Sequence, residues 1–168
     1  RSLQTYVDVS SGVLKFDPKW PELKAIDGFV VVDDSEVDAW VDHALFAELD
    51  LFDATVNVIP LPEKKGQYVT IRSAQVEGKG QDALDILNLP VLRDAVGPAF
   101  ANWSVGGKVD ASVDIGVPVS AAGKSQGYQD IRLVFNENSL AIDRPELLFT
   151  DISGRLQYTS KEGLSSDD

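Results

Sequence analysis

The chain contains no cysteine, no methionine and a single histidine in 168 residues. Without cysteine it forms no disulfide, offers no thiolate to zinc and carries no thiol nucleophile. A serine triad would have to use His43, and no Gly-x-Ser-x-Gly elbow supplies a partner for it. A zinc site would have to draw every ligand except His43 from aspartate and glutamate. The bland alternative is a satisfied histidine on a strand surface. Positive charge is also scarce, with 15 basic against 27 acidic residues and a net charge of −12. Nucleic-acid binding relies on basic surface, so no nucleic-acid partner is expected. Electrostatic docking onto anionic head groups is disfavoured for the same reason. Neither argument touches hydrocarbon, which is held by apolar surface. No run approaches the roughly 20 apolar residues of a membrane span, and no signal peptide is present. The chain opens Arg1-Ser2-Leu3, and it is expected to be a piece of something longer.

What the chain does have is alternation. Val109, Ala111, Val113, Ile115, Val117 and Val119 take turns with Lys108, Asp110, Ser112, Asp114, Gly116 and Pro118. Successive side chains of a strand point to opposite faces, so this run has one apolar and one polar face. Ala54, Val56 and Val58 repeat the habit, as do Ile131, Leu133 and Phe135. Further strands are expected over residues 28–32, 49–59, 67–77, 104–119, 129–136, 139–143, 146–150 and 152–159, and over 36–47, where Val37, Ala39 and Val41 alternate although Val37, Trp40, Val41 and Ala44 also sit at helical spacing. Residues 4–17 read as a strand or hairpin with Ser10-Ser11-Gly12 as its turn, and Asn136-Glu137-Asn138 reads as another turn. The period changes at Ala83, Leu84, Ile86 and Leu87, which share a helix face, and a second short helix follows Pro90 with Val91, Leu92, Ala95, Val96 and Phe100 on one side. The fold class is therefore α+β, mostly β: a curved antiparallel sheet with one pair of short helices. One β-rich domain is expected over 1–163, with the helical insert at about 81–101 and a frayed tail over 164–168.

Motifs with chemistry are few. Gly78-Lys79-Gly80-Gln81-Asp82-Ala83 matches G-x-G-x-x-A, but the next element is another helix, not a parallel strand, so a plain strand-to-helix turn is expected. Asp33, Asp34, Glu36 and Asp38 form an acidic run that lacks the sixth-position glycine of a calcium loop and reads as a solvated turn. Trp20, Trp40 and Trp103 could stack on sugars, and are expected instead to plug the core. No cofactor, metal site or catalytic residue is assigned, and the chain is not read as an enzyme.

The apolar sheet face is then the functional question. Two short helices supply roughly nine apolar residues against about seven or eight amphipathic strands, so part of that face is expected to stay uncovered. An exposed apolar surface of more than a few hundred Å² normally marks a binding site.

Four segments carry a resemblance. They are Phe16-Asp17-Pro18-Lys19-Trp20-Pro21-Glu22-Leu23 followed by Gly28-Phe29-Val30-Val31-Val32-Asp33-Asp34; Asp82-Ala83-Leu84-Asp85-Ile86-Leu87 with Leu89-Pro90-Val91-Leu92; Trp103 with Gly106, Gly107 and the strand ending Val117-Pro118-Val119; and Asn138-Ser139-Leu140 running to Ser153-Gly154-Arg155-Leu156-Gln157-Tyr158. In that order they resemble the YhdP branch of the AsmA-like proteins. The stretch Gly116-Val117-Pro118-Val119 departs from the bulky aliphatics that branch more often shows around the proline. The resemblance implies an internal segment of a long protein, anchored in the bacterial inner membrane and extending through the periplasm. Its stacked β-grooves would carry phospholipid acyl chains towards the outer membrane and support that membrane's barrier. Its partners would be those acyl chains and neighbouring repeats of the same chain. The groove residues expected on this reading are Val56, Val58, Val109, Ala111, Val113, Ile115, Val117, Ile131, Leu133 and Phe135. The rival reading is an extracytoplasmic glycan-binding or adhesion module with no lipid groove, working through its aromatics.

Overall fold

The computed structural model describes residues 4–15, 18, 20–61, 66–90, 100–119 and 127–167. In chain order the elements are β1 (Gln4–Leu14), β2 (Leu23–Asp33), β3 (Glu36–Phe46), β4 (Leu49–Leu61), β5 (Gly66–Lys79), α1 (Gly80–Leu87), β6 (Trp103–Gly106), β7 (Lys108–Val119), β8 (Tyr128–Ile142), β9 (Leu147–Thr159) and β10 (Gly163–Asp167). The ten strands form one open, curved antiparallel sheet in the order β1-β2-β3-β4-β5-β7-β8-β9-β10. Strand β6 lies beside the outer part of β8, where Trp103 faces Ile142 and Gly106 faces Ser139.

The curvature has a local cause. Ser11, Ala25 and Asp53 all have φ near +50°. At that level β1–β2 and β2–β3 shift register, while β3–β4 and β4–β5 keep theirs but skip Asp42, Asp53 and Ala74. Each strand swaps the parity of its apolar side chains there: Leu49 and Leu51 before the kink, Ala54 and Val56 after it, are all buried. An extra residue bends a strand and strengthens its twist, so the sheet folds without turning its greasy face outward. A second kink, at Glu137 and Asp151, bends β8 and β9 nearer one end.

Two expected turns are thereby corrected. Ser10-Ser11-Gly12 is a bulge within β1, where the Ser11 amide donates to Asp27 Oδ1 at 2.9 Å. Asn136-Glu137-Asn138 is a bulge within β8, so residues 129–136 and 139–143 form one strand, as do 146–150 and 152–159. Of the expected tail, residues 164–167 belong to β10, which pairs with β9 from Gly163↔Thr159 to Asp167↔Arg155. The free edge of β9 supplies the backbone partners, and that ladder needs no apolar side chains. The helix expected at Pro90 falls on 91–99, outside the described residues, although Phe100 is buried.

Leu23, Ile26, Val41, Ala44, Leu49, Leu51, Ala54 and Val76 form the core cluster at the bend, with Val9, Phe46, Ala83, Ile86, Ala111 and Val113 packed against it.

Candidate functional site

The concave face is an apolar trough. One section runs from β2 to β8 and is lined by Leu23, Leu51, Ile71, the β7 row from Val109 to Val117, Ile131 and Leu133, with Trp20, Ala83 and Ile86 at one end. A second section, from β1 to β5, shares Leu23, Leu51 and Ile71 with the first. They hold about 860 and 760 Å³ of empty space, part of it open to solvent. Eight inter-strand steps of about 4.8 Å make the sheet roughly 38 Å across.

The two long margins differ. One is walled by α1 and Trp20. The α1 wall is fastened, with Gly80 N–H donating to the Gly107 carbonyl at 2.9 Å and Val105 N–H donating to Gln81 Oε1 at 3.1 Å. Gly80 is required because a Cβ there would overlap Val105 Cγ1. Trp20 is 7 % exposed and tilts against Phe46 at 6.3 Å, and its carbonyl accepts from Lys15 Nζ at 2.8 Å. At the opposite margin Val58 and Val117 are half-buried, flanking Val69 in one cross-strand row.

Seven of the ten expected groove residues line the first section: Val109, Ala111, Val113, Ile115, Val117, Ile131 and Leu133. Val56 lines the second. Val58 and Phe135 line neither, though both are half-buried. Val109, Val56 and Ile131 are buried, whereas Ala111, Val113, Ile115, Val117 and Leu133 remain partly open. Ile71 was not among the expected groove residues, yet it belongs to the same row as Val56 and Ile115. Its parity within β5 was the available signal. Trp20, Ala83 and Ile86 come from outside the strands, where alternation carries no information.

Polar groups inside the trough are already satisfied. Ser73 is buried, and its single hydroxyl proton has the carbonyls of Phe52 and Gln75 as acceptors at 2.9 and 3.0 Å. Among the described residues no buried side-chain nitrogen or oxygen lacks a partner. Charge and hydrogen bonding collect on the convex face. There Asp114 accepts from Arg72 Nε at 3.1 Å and from the Tyr128 hydroxyl at 2.7 Å. Partial burial, then the neighbouring Asp114, raises the Tyr68 and Tyr128 phenols above their usual value.

The remaining candidates are placed as follows. Gly78-Lys79-Gly80 is the turn from β5 into α1, whose first amide is already taken by Gly107. His43 Nε2 sits 2.8 Å from Asp50 Oδ1 on the adjacent strand. Asp34 lies in the β2–β3 turn at φ +51°, and Asp38 accepts from Asn57 Nδ2 at 2.6 Å. No group of metal-ligating side chains occurs among the described residues. Trp20 is a core plug, as expected, and half-buried Trp103 meets Phe100 edge-on at 5.0 Å. Trp40 is not: it is 41 % exposed on the convex face and stacks on Phe29 across strands at 4.7 Å. Its even position, between Asp38 and Asp42, turns it away from the core.

Fold and trough together define an open β-groove segment whose concave face is hydrocarbon and whose back is charged. The family model for the YhdP protein matches residues 1–168, the whole chain, and the chain belongs to that family. Neither the curated proteins nor the solved structures yield a match. Family membership implies a periplasmic, membrane-anchored protein. Among the described residues no helix is long and apolar enough to cross a membrane.

Proposed function

We propose that this chain is one section of a non-catalytic lipid conduit, in which the trough shields phospholipid acyl chains from water on their way between the inner and outer membranes. The observation that carries the reading is the partly open apolar row Ala111, Val113, Ile115 and Val117, beside empty space and with no unsatisfied polar group within it. Each methylene moved from water into such a surface contributes about 0.8 kcal/mol, so a partly enclosed chain is held without any specific contact. The charged convex face keeps the section hydrated. Neighbouring repeats of the same protein would continue the trough, and the outer-membrane barrier would depend on it.

The glycan-binding alternative has less support. Trp40 is the open tryptophan among the three, and one of its ring faces is already occupied by Phe29. A photo-crosslinking residue at Val113, Ile115 or Val117 of the full-length protein in the cell envelope tests the reading. Phospholipid adducts are expected from those positions and not from Ser112 or Asp114 on the opposite face. Equal yields from both faces, or none, would refute it.

A further inference from the structure

The convex back of the sheet is acidic over its first strands, and the same region carries an uncovered aromatic patch. We propose that this patch is a docking surface for a basic protein segment, which sets an arginine guanidinium against the exposed Trp40 ring between the carboxylates of Asp38 and Asp42.

Strand register builds the patch. Trp40 faces Phe29 across β3 and β2, and Tyr6 faces Val31 across β1 and β2, one row away. Opposed residues share a face of a sheet, and so do residues two apart on one strand. These four therefore stand together on the convex side. Tyr6 is 69 % exposed, and Phe29 and Trp40 are 41 % exposed each. The Phe29 and Trp40 rings lie nearly parallel, 12° apart, so Phe29 occupies one side of the indole. The residue across from Trp40 on β4 is Thr55, too short to cover the rest.

Charge says what kind of partner fits. Residues 4–61, which span β1 to β4, carry 12 of the 27 acidic residues and 3 of the 15 basic ones. Most of the net charge therefore sits in this half of the sheet. Asp38 and Asp42 flank Trp40 along β3, and Asp8 faces Phe29 on β1. Among the described residues the ion pairs are His43–Asp50, Arg72–Asp114 and Arg132–Asp130, and none of these three carboxylates is in one. Arg72 shares the row of Trp40 two strands away, but its Nε is taken by both oxygens of Asp114. An arginine from outside would answer the ring and the carboxylates together. Its planar guanidinium stacks on an aromatic face while its N–H groups donate to carboxylate. Other occupants fit less well. A second copy would bring its own net charge of −12 against the same acidic surface, and an anionic bilayer or nucleic acid would be repelled likewise. None of this depends on what the trough on the other face holds.

Site-specific crosslinking tests the proposal. Full-length protein is purified with a photo-crosslinking residue in place of Thr55 and mixed with a biotinylated peptide of alternating arginine and serine. A second peptide carries citrulline, a neutral isostere, at every arginine. The arginine peptide is expected to label the protein, less as salt rises, and the citrulline peptide to label it poorly. Trp40→Leu should weaken labelling about two- to fivefold, the loss of one exposed cation–π contact. Asp38→Asn together with Asp42→Asn should remove most of the salt dependence while keeping the side-chain oxygen that accepts from Asn57. Equal labelling by the two peptides, including none by either, would overturn the proposal, as would full labelling in Trp40→Leu. Loss of labelling on adding soluble sugar would overturn it in favour of glycan binding. An adduct to the protein's own chain in place of the peptide would overturn it by making the patch an internal packing surface.

Discussion

The carboxamide of Asn138 fills the space that a side chain at Gly107 would need: a Cβ there would stand 2.7 Å from Asn138 Nδ2. Gly107 adopts φ +92° at the break between β6 and β7, flanked by the carbonyls of Gly106 and Lys108. Asn138 Nδ2 donates to both, to Gly106 O at 2.9 Å and to Lys108 O at 2.8 Å. Its Oδ1 accepts from the Asn136 amide at 2.8 Å. At 1 % exposure it is the most enclosed large side chain described.

Asn138→Ala is therefore expected to destabilise the fold. Each buried polar group left unsatisfied costs about 1–3 kcal/mol, and water entering the vacated space would recover part of the total, so a net loss of about 3 kcal/mol is expected in urea melts. Asn138→Asp should lose more, because a carboxylate only accepts and would face two carbonyl oxygens. A melt of Asn138→Ala indistinguishable from wild type would contradict this role.

The same bulges mark the boundary of what alternation reveals. The apolar face of β7 was legible because its parity never changes from Val109 to Val117. In β1 and β8 the residues at the kinks, Ser11 and Glu137 among Ser, Gly and Asn neighbours, are the types that also make turns, since both structures call on positive φ. Composition alone does not separate a chain that reverses there from one that bends and continues. The parity switch does carry the information: Leu133 and Phe135 on one side of the β8 bulge, Leu140 and Ile142 on the other, keep one face only if an extra residue intervenes. The α1 wall was readable as a helix, but where it docks depends on Gly80 and Val105 meeting across the fold, and no local pattern records that.

The convex phenols should show in alkaline titration. Partial burial first, and Asp114 second, raise Tyr68 and Tyr128 above the ordinary phenol value near 10. A folded pKa above the unfolded one contributes stability that is complete below the unfolded value and disappears as pH climbs through the folded value. Stability should thus hold up to about pH 10 and fall beyond it. Ultraviolet difference spectra should show these two phenols ionising above the ordinary phenol range, and Tyr128→Phe should flatten the alkaline decline. Ionisation of Tyr68 and Tyr128 at the ordinary value would contradict the burial argument.

Fastening of α1 can be probed at Gly80. Gly80→Val places branched carbon where Val105 Cγ1 already sits, and overpacking of this kind costs about 1–3 kcal/mol. The bond from Val105 N–H to Gln81 Oε1 should fail with it, so hydrogen exchange at the Val105 amide should accelerate in Gly80→Val and in Gln81→Ala alike. Unchanged exchange in both variants would mean that α1 is not held by these contacts.

Groove and core are interleaved on one face, and two substitutions should separate them. From sequence, Val113→Asp is expected to abolish lipid transport without unfolding the chain. Val113, however, packs against the core cluster, so a charge there burdens folding as well as binding. Ile115 is the cleaner position: it faces Ile71 and Gln129, lines the trough and stands outside that cluster. Ile115→Asp should stay within about 1 kcal/mol of wild type, as substitutions at partly open sites usually do, and lose the capacity to bind a fluorescent fatty acid. Leu51→Ala, at 5 % exposure in the centre of the cluster, should cost about 2–5 kcal/mol while the surviving folded fraction still binds. If Ile115→Asp abolishes the cooperative melt, the β7 row is core and not groove. If it melts normally and still binds fatty acid, hydrocarbon is held somewhere else on the chain.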